Sequence, residues 1–277
     1  MVYRFLRFPE FKTKALCFSY DDGWIFDRNV VEILGKYGFK GTFNIPSSAI
    51  RRTDEFALTE NEFKELYLPN GHEIALHGEQ HVALIKSATI DGIKDVLDNR
   101  ATLEKFYGRI IRGYAYADNG STNDEIKEYL KMLGLVYARS VGMENGSFAI
   151  PDDWYCWMPT VRHTDSKFMD YAEQFLEDNP ISKSCACRDS LLFMVMGHSW
   201  ELDGKWEVLE KFCSKMSGHS EIWTATCMEI YEYVTAYRSL VFSVDNKIVY
   251  NPTNITVYYE EDEKNYIVKP NEMCYVK

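Results

Sequence analysis

The feature that most narrows the fold is a regular alternation of short apolar runs with amphipathic stretches. The runs are ALCFSY (15–20), FKGTFNI (39–45), HEIALH (72–77), IRGYAYA (111–117), LVYARSV (135–141), TVRH (160–163), LLFMVMGHS (191–199) and EIWTAT (221–226). They are apolar or β-branched and short, as buried strands are. Between most of them lie segments such as DRNVVEILGKYG, TIDGIKDVLDNRATLEKFYG and KWEVLEKFCSKMSG. There, apolar residues recur at three- and four-residue steps and a glycine often closes the segment, the signature of surface helices. Strands alternating with helices build right-handed βαβ units around a parallel sheet. The spacing therefore predicts an α/β fold: a distorted (β/α) barrel of seven or eight strands over residues 1–239. From residue 240 the helical period disappears. LVFSVDNKIVYNPTNITVYYEEDEKNYIVKPNEMCYVK alternates β-type stretches with turns, which predicts a small antiparallel β appendage over 240–277.

Composition excludes several classes of function. The chain has 277 residues, 46% of them hydrophobic and 26% charged, which suits a packed globular protein. A net charge of −11 argues against a nucleic-acid partner, which calls for a basic face. No apolar run approaches the roughly 20 residues that span a bilayer, and the N-terminal MVYRFLRFPEFKTK lacks the apolar core of a signal peptide. Seven cysteines without paired Cys-x-x-Cys spacing fit reduced thiols. The expectation is a cytoplasmic protein with no membrane partner.

The chemistry concentrates where apolar runs end, which in a (β/α) barrel is the end that carries active sites. Asp21 and Asp22 close the first run in FSYDDGW. His77 closes the third, with His81 four residues later in HGEQH. His198 closes LLFMVMGH. Two adjacent aspartates before a glycine also read as a plain turn. The His pair tips the balance, because an i, i+4 pair on one helical turn places both imidazoles on one face. HGEQH is not the HExxH of metalloproteases, since Gly78 follows the first His. Two His and one carboxylate leave open positions on a divalent ion, as a hydrolytic site requires. A second carboxylate can then accept a proton from water, and a His on another strand can protonate the leaving group. Such a set describes hydrolysis of an amide or ester.

In the order strand–DDG, GHEIALHGEQH, RGYAYADNG and GHSWE, the chain resembles the polysaccharide deacetylases, carbohydrate esterase family 4, over residues 13–238. The resemblance implies a distorted (β/α) barrel and metal-dependent removal of acetyl groups from an acetylated carbohydrate. It makes Asp21 the general base, Asp22, His77 and His81 the metal ligands, and His198 the general acid. The implied cofactor is one divalent ion, with zinc favoured by two imidazoles and a carboxylate and cobalt, nickel or manganese as alternatives. The family's third motif, Arg-x-Pro-Tyr, supplies an arginine that orients the base. Here the segment reads IIRGYAYADNG, without proline, and Ala115 falls at the arginine's place. Arg162 is the expected substitute. Tyr116 and Asp118 fall where that motif's pocket residues belong. Asp153-Trp154 stands for the family's Asp-Trp pair, and Trp154 and Trp200 are the candidate sugar-stacking side chains. Two other readings remain open: a hydrolase of linear or cyclic non-sugar amides on the same fold, and a carbohydrate-binding homologue with weak catalysis. The oligomeric state is not legible.

Overall fold

The computed structural model describes residues 2–276 apart from Asn119, Met143, Asn145, Cys185 and Ala186. Asn119 of the RGYAYADNG segment and Cys185, one of the seven cysteines, thus lie outside the described residues. The strands in chain order are β1 (Arg4–Arg7), β2 (Lys14–Asp21), β3 (Thr42–Ile45), β4 (Glu73–Leu76), β5 (Gly113–Ala115), β6 (Tyr137–Arg139), β7 (Val161–Arg162), β8 (Leu191–His198) and β9 (Ile222–Thr224), followed by β10 (Val241–Phe242), β11 (Ile248–Tyr250), β12 (Val257–Glu261), β13 (Lys264–Val268) and β14 (Met273–Tyr275). The helices are α1 (Asp27–Lys36), α2 (Ser47–Ile50), α3 (Glu60–Leu66), α4 (Thr89–Tyr107), α5 (Asp124–Met132), α6 (Phe168–Glu177), α7 (Trp206–Met216) and α8 (Cys227–Arg238). Each of the eight apolar runs contains a strand.

Strands β2 to β9 form one parallel sheet in the order β6-β5-β4-β3-β2-β8-β7, with β9 also pairing with β2. The sheet curls into a half-barrel. Its edge strands β6 and β7 do not pair with each other; Arg139 of β6 makes a single parallel bridge to Trp157, in the segment that precedes β7. β2 is buried along its whole length, which is why its sequence reads as a continuous apolar run rather than an alternation. Its two faces have different neighbours. Leu16, Phe18 and Tyr20 pack outward against residues of α1, α6 and α7. Ala15 and Cys17 face inward with Leu192, Met194 and Tyr137, where α8 contributes Cys227, Ile230 and Val234 and closes the strands' N-terminal end.

The tail is all β, as the loss of helical period implies. β10, β11 and β14 form one antiparallel sheet, and β12 and β13 form another with β1. The pairing of β1 with β12, from Arg4–Glu261 to Arg7–Tyr258, ties the two ends of the chain together. It is pinned by the buried Arg7, which gives Nη2 to Glu260 at 2.9 Å. No helix among the described residues is long and apolar enough to cross a membrane.

Candidate functional site

The C-terminal ends of β2, β3, β4, β6 and β8 converge on one polar cluster. Register sets it up: Asp21 lies level with Asn44 on β3 and with His198 on β8. Asp22 continues as a tight turn, its N–H bonded to the Asn44 carbonyl at 3.0 Å. Asp22 has φ 80° and Gly23 φ 64°. A strand would alternate the two carboxylates onto opposite faces; the left-handed turn instead brings both to the same site. Left-handed backbone at a non-glycine residue is sparsely populated and collects at functional sites. His81 (φ 55°) and Asp118 (φ 57°) share it.

Asp21 is 3% exposed and answers the question left by Ala115. Its carboxylate is held by the guanidinium of Arg139 on β6, which bonds both oxygens, Oδ2 at 2.6 Å. Asn44 Nδ2 donates to Oδ1 at 2.8 Å. Arg139 is wholly buried and its Nε–H also donates to Ser19 at 3.1 Å. Burial raises the Asp21 pKa, but Arg139 first, then His77 and His198, outweigh it and bring it down to about 2. The carboxylate is ionised across the neutral range. Arg162, expected to orient this base, does not reach it. It bonds Glu201 at 2.6 Å and the His198 ring at 2.8 Å instead. Sequence reasoning missed Arg139 although LVYARSV carries the signal, a lone cation inside an otherwise buried strand. Arg139 lies directly across the parallel pair from Ala115.

The HGEQH segment is a loop, not the helical turn the i, i+4 spacing suggested. α4 shapes it. Asn99 Oδ1 accepts the N–H groups of His77 and Gly78, both at 3.0 Å, and Asp95 Oδ1 accepts that of Gln80 at 2.8 Å. Gly78 has φ 84°, and a Cβ there would stand 2.4 Å from Asp95 Oδ2, so only glycine fits. The loop sets the two imidazoles 4.7 Å apart and nearly perpendicular. Asn99 and Asp95 on α4 hold the backbone of this loop, and motif reading did not find them.

Asp22, His77 and His81 meet as the sequence predicts. Each offers a ligand atom within 4.8 Å of the others. His77 Nε2 lies 3.6 Å and His81 Nε2 3.3 Å from Asp22 Oδ1. His77 Nδ1–H donates to the Ala115 carbonyl at 2.9 Å, so the lone pair sits on Nε2. That Nε2 is buried without a hydrogen-bond partner, and an orphaned lone pair beside a carboxylate and a second imidazole fits a divalent cation. Burial also keeps His77 neutral, pulling its pKa below the usual value despite Asp21 and Asp22.

His198 faces the same cluster, with Nε2 4.0 Å from Asp21 and 3.8 Å from Asp22. Its Nδ1 faces both the Arg162 guanidinium at 2.8 Å and the Glu201 carboxylate at 3.4 Å, while Nε2 points at the two aspartates. Burial lowers the His198 pKa, but Glu201, Asp21 and Asp22 together raise it above the ordinary value. Glu201 accepts from the His198 backbone at 2.9 Å and stands 3.2 Å from the buried His163. Despite burial its carboxyl is held far below the ordinary range by His163, His198 and Arg162.

The remaining candidates divide. Asp118 Oδ1 lies 3.7 Å from His81 Nδ1, and Trp200, 45% exposed, stands 5.5 Å from the His198 ring. Tyr116 is buried, its hydroxyl bonding the Tyr155 carbonyl and Thr122, so it does not face the site. Trp154 packs against Trp157 and Tyr231 at the end closed by α8. Its side chain is spent on packing and is not at this cluster.

Residues 9–138 match the sequence model described as polysaccharide deacetylase. Over that stretch the chain is similar to the polysaccharide deacetylases. The match covers just under half of it and stops one residue before Arg139. No curated protein matches. Solved structures similar to this chain include an allantoinase (12% identity, 81% of this chain and 91% of that one, TM-score 0.62). A family 4 acetyl xylan esterase from Clostridium thermocellum, in complex with a cobalt ion, gives 17%, 79%, 90% and 0.53. A family 4 pseudoenzyme from Bacillus anthracis gives 15%, 82%, 68% and 0.52. At these identities the likenesses establish the shared fold.

Proposed function

We propose that the protein is a metal-dependent hydrolase that removes acetyl groups from an N- or O-acetylated carbohydrate. The reading is carried by one observation: the Arg139-held, ionised Asp21 stands beside the Asp22–His77–His81 cluster and its orphaned imidazole nitrogen. In this reading those three residues hold a divalent ion, which when bound polarises the scissile carbonyl and acidifies a water. Asp21 accepts the water's proton, and Arg139 and Asn44 keep its carboxylate aimed while it does so. His198 gives its Nε2 hydrogen to the departing nitrogen or oxygen. Glu201 and Arg162 hold the ring from its Nδ1 side. Zinc suits two imidazoles and a carboxylate, and cobalt, nickel and manganese are the competitors.

The test is metal analysis of the purified protein together with acetate release from acetylated chitin, xylan and monosaccharides. One divalent ion per chain is expected, with acetate release lost in Asp21→Asn and in His77→Ala. A folded preparation that takes up no divalent ion at any pH overturns the proposal.

A further inference from the structure

Trp24, the last residue of FSYDDGW, has no part in the chemistry described so far. Two successive left-handed residues, Asp22 at φ 80° and Gly23 at φ 64°, turn the chain so sharply that the Trp24 side chain comes back alongside the Asp22 carboxylate. Its indole N–H donates to Asp22 Oδ2 at 3.3 Å. The other oxygen, Oδ1, is the one nearest His77 and His81, at 3.6 and 3.3 Å. The two oxygens of one carboxylate thus face different partners. The indole is held for its contact. The Arg52 guanidinium lies over the ring at 3.8 Å, with a shielded Nη1 that has no hydrogen-bond partner, so the aromatic face is what this cation rests on. Phe56 meets the ring at 6.3 Å with the planes steeply inclined. The backbone is tied as well: Trp24 bridges to Ala57, and the Ile25 N–H donates to the Phe56 carbonyl at 2.9 Å. A ring kept only for its carbon surface could turn its polar edge to water; this one turns it to a candidate ligand.

A carboxylate that binds an ion through both oxygens fills two positions on it; one that binds through a single oxygen leaves a position for water or substrate. A hydrogen bond to the second oxygen favours the single-oxygen mode, because that oxygen must give up its donor before it can reach the ion. The same bond fixes the rotation of the carboxylate, as partners of metal-ligating groups do. We infer that Trp24 is a positioning residue: its indole N–H holds Asp22 Oδ2 so that Oδ1 alone is offered to the divalent ion. Positions then stay open for the water and the scissile carbonyl oxygen. The inference rests on the metal-dependent reading above and deepens it, since it says how this chain limits its ligand atoms to three. A preference among ions follows. Zinc is satisfied by few ligands, whereas manganese favours oxygen-rich, octahedral surroundings, so a freed Oδ2 helps manganese more than zinc.

Trp24→Phe tests this, because it keeps an aromatic ring for Arg52 and Phe56 and removes only the N–H edge. Zinc and manganese affinities are measured by competition titration into the metal-stripped protein, without turnover. Trp24→Phe should weaken zinc by about 10–100-fold and lower the zinc-to-manganese affinity ratio, with the thermal midpoint of the metal-free protein unchanged. Trp24→Ala should weaken zinc at least as much and lower that midpoint too. In proton NMR of the metal-free protein, the Trp24 indole N–H signal, assigned by its loss in Trp24→Phe, should move upfield and exchange faster with water in Asp22→Ala. Unweakened zinc binding in Trp24→Phe, or a loss confined to Trp24→Ala, overturns the inference. So does an indole proton indifferent to Asp22. Absence of zinc uptake by the unmutated protein sinks the metal-dependent reading and this inference with it. Zinc uptake with the expected Trp24→Phe loss, but no acetate release, sinks the acetyl-hydrolase reading alone.

Discussion

The two ends of the half-barrel are built from the same strands and do opposite work. Along the inner face of β2, Ala15 and Cys17 give way to Ser19 and Asp21; on β6, Tyr137 gives way to Arg139; on β8, Leu192 and Met194 give way to His198. Over two to six residues each strand passes from a floor sealed by α8 to a polar rim. The floor is held by burial of carbon, which tolerates a change of shape at the cost of a cavity. The rim is held by mutually dependent charges, where removal of one partner strands another in a dry environment. Stability and chemistry are thus separated by position along a strand rather than by domain.

Mutations at the two ends should break this contrast in different ways, the largest at the rim. Asp21→Asn removes the proton acceptor, so acetate release should fall by roughly 10²–10⁴-fold, and it leaves the buried Arg139 guanidinium uncompensated, so the thermal midpoint should fall as well. Arg139→Met leaves Asp21 as a buried, uncompensated charge and should cost about 3–5 kcal/mol in denaturant unfolding. Adding Asp21→Asn to it should restore most of that stability and none of the activity, and a double variant no more stable than Arg139→Met would show that the two are not a pair.

At the floor, Ile230→Ala should cost about 2–5 kcal/mol in urea unfolding while the metal affinity of the folded protein stays unchanged. A loss of metal at the floor variant would dissolve the separation. Between these lies Asn99, which holds the His77 loop without touching the candidate ligands' reactive atoms. Asn99→Ala should weaken metal affinity by about 10–100-fold in a competition titration.

The smallest effect sharpens the floor. His72, just before β4, accepts the Gly41 N–H at 2.9 Å through Nδ1 and is 4% exposed. Burial, with Lys40 nearby, lowers its pKa to about 4. The unfolded chain binds this proton below about 6.5 and the folded chain only near 4, so protons favour unfolding and stability rises with pH across that window. His72 by itself should contribute a drop of about 1 kcal/mol between pH 7 and 5.5, read as the difference in pH slope between the unmutated protein and His72→Gln in urea melts.

The floor was legible in the sequence because strands buried on both faces read as continuous apolar runs, and all eight were placed. The rim was legible only where polar residues interrupt those runs at their ends. Asp21, Asp22, His77, His81 and His198 do so. Arg139 sits in a three-residue strand, where a lone cation in an apolar run hints at burial but not at the carboxylate it pairs with on β2. Asn99 and Glu201 act through hydrogen bonds to backbone N–H groups, contacts that exist only once α4 and β8 are in place. The failed role for Trp154 has the same origin, since an indole's partners are a matter of packing.

The register of Ala115 beside Arg139 carries a last consequence. In a parallel ladder, neighbouring rungs present side chains to the same volume, so a charge can migrate sideways between strands without leaving the space it serves. A linear motif records which strand carries the guanidinium; the site registers only the rung. Relatives that lack the third-motif arginine are therefore best sorted by what stands opposite the gap, and exchanging the two residues, as Ala115→Arg with Arg139→Ala, makes that lateral freedom directly measurable.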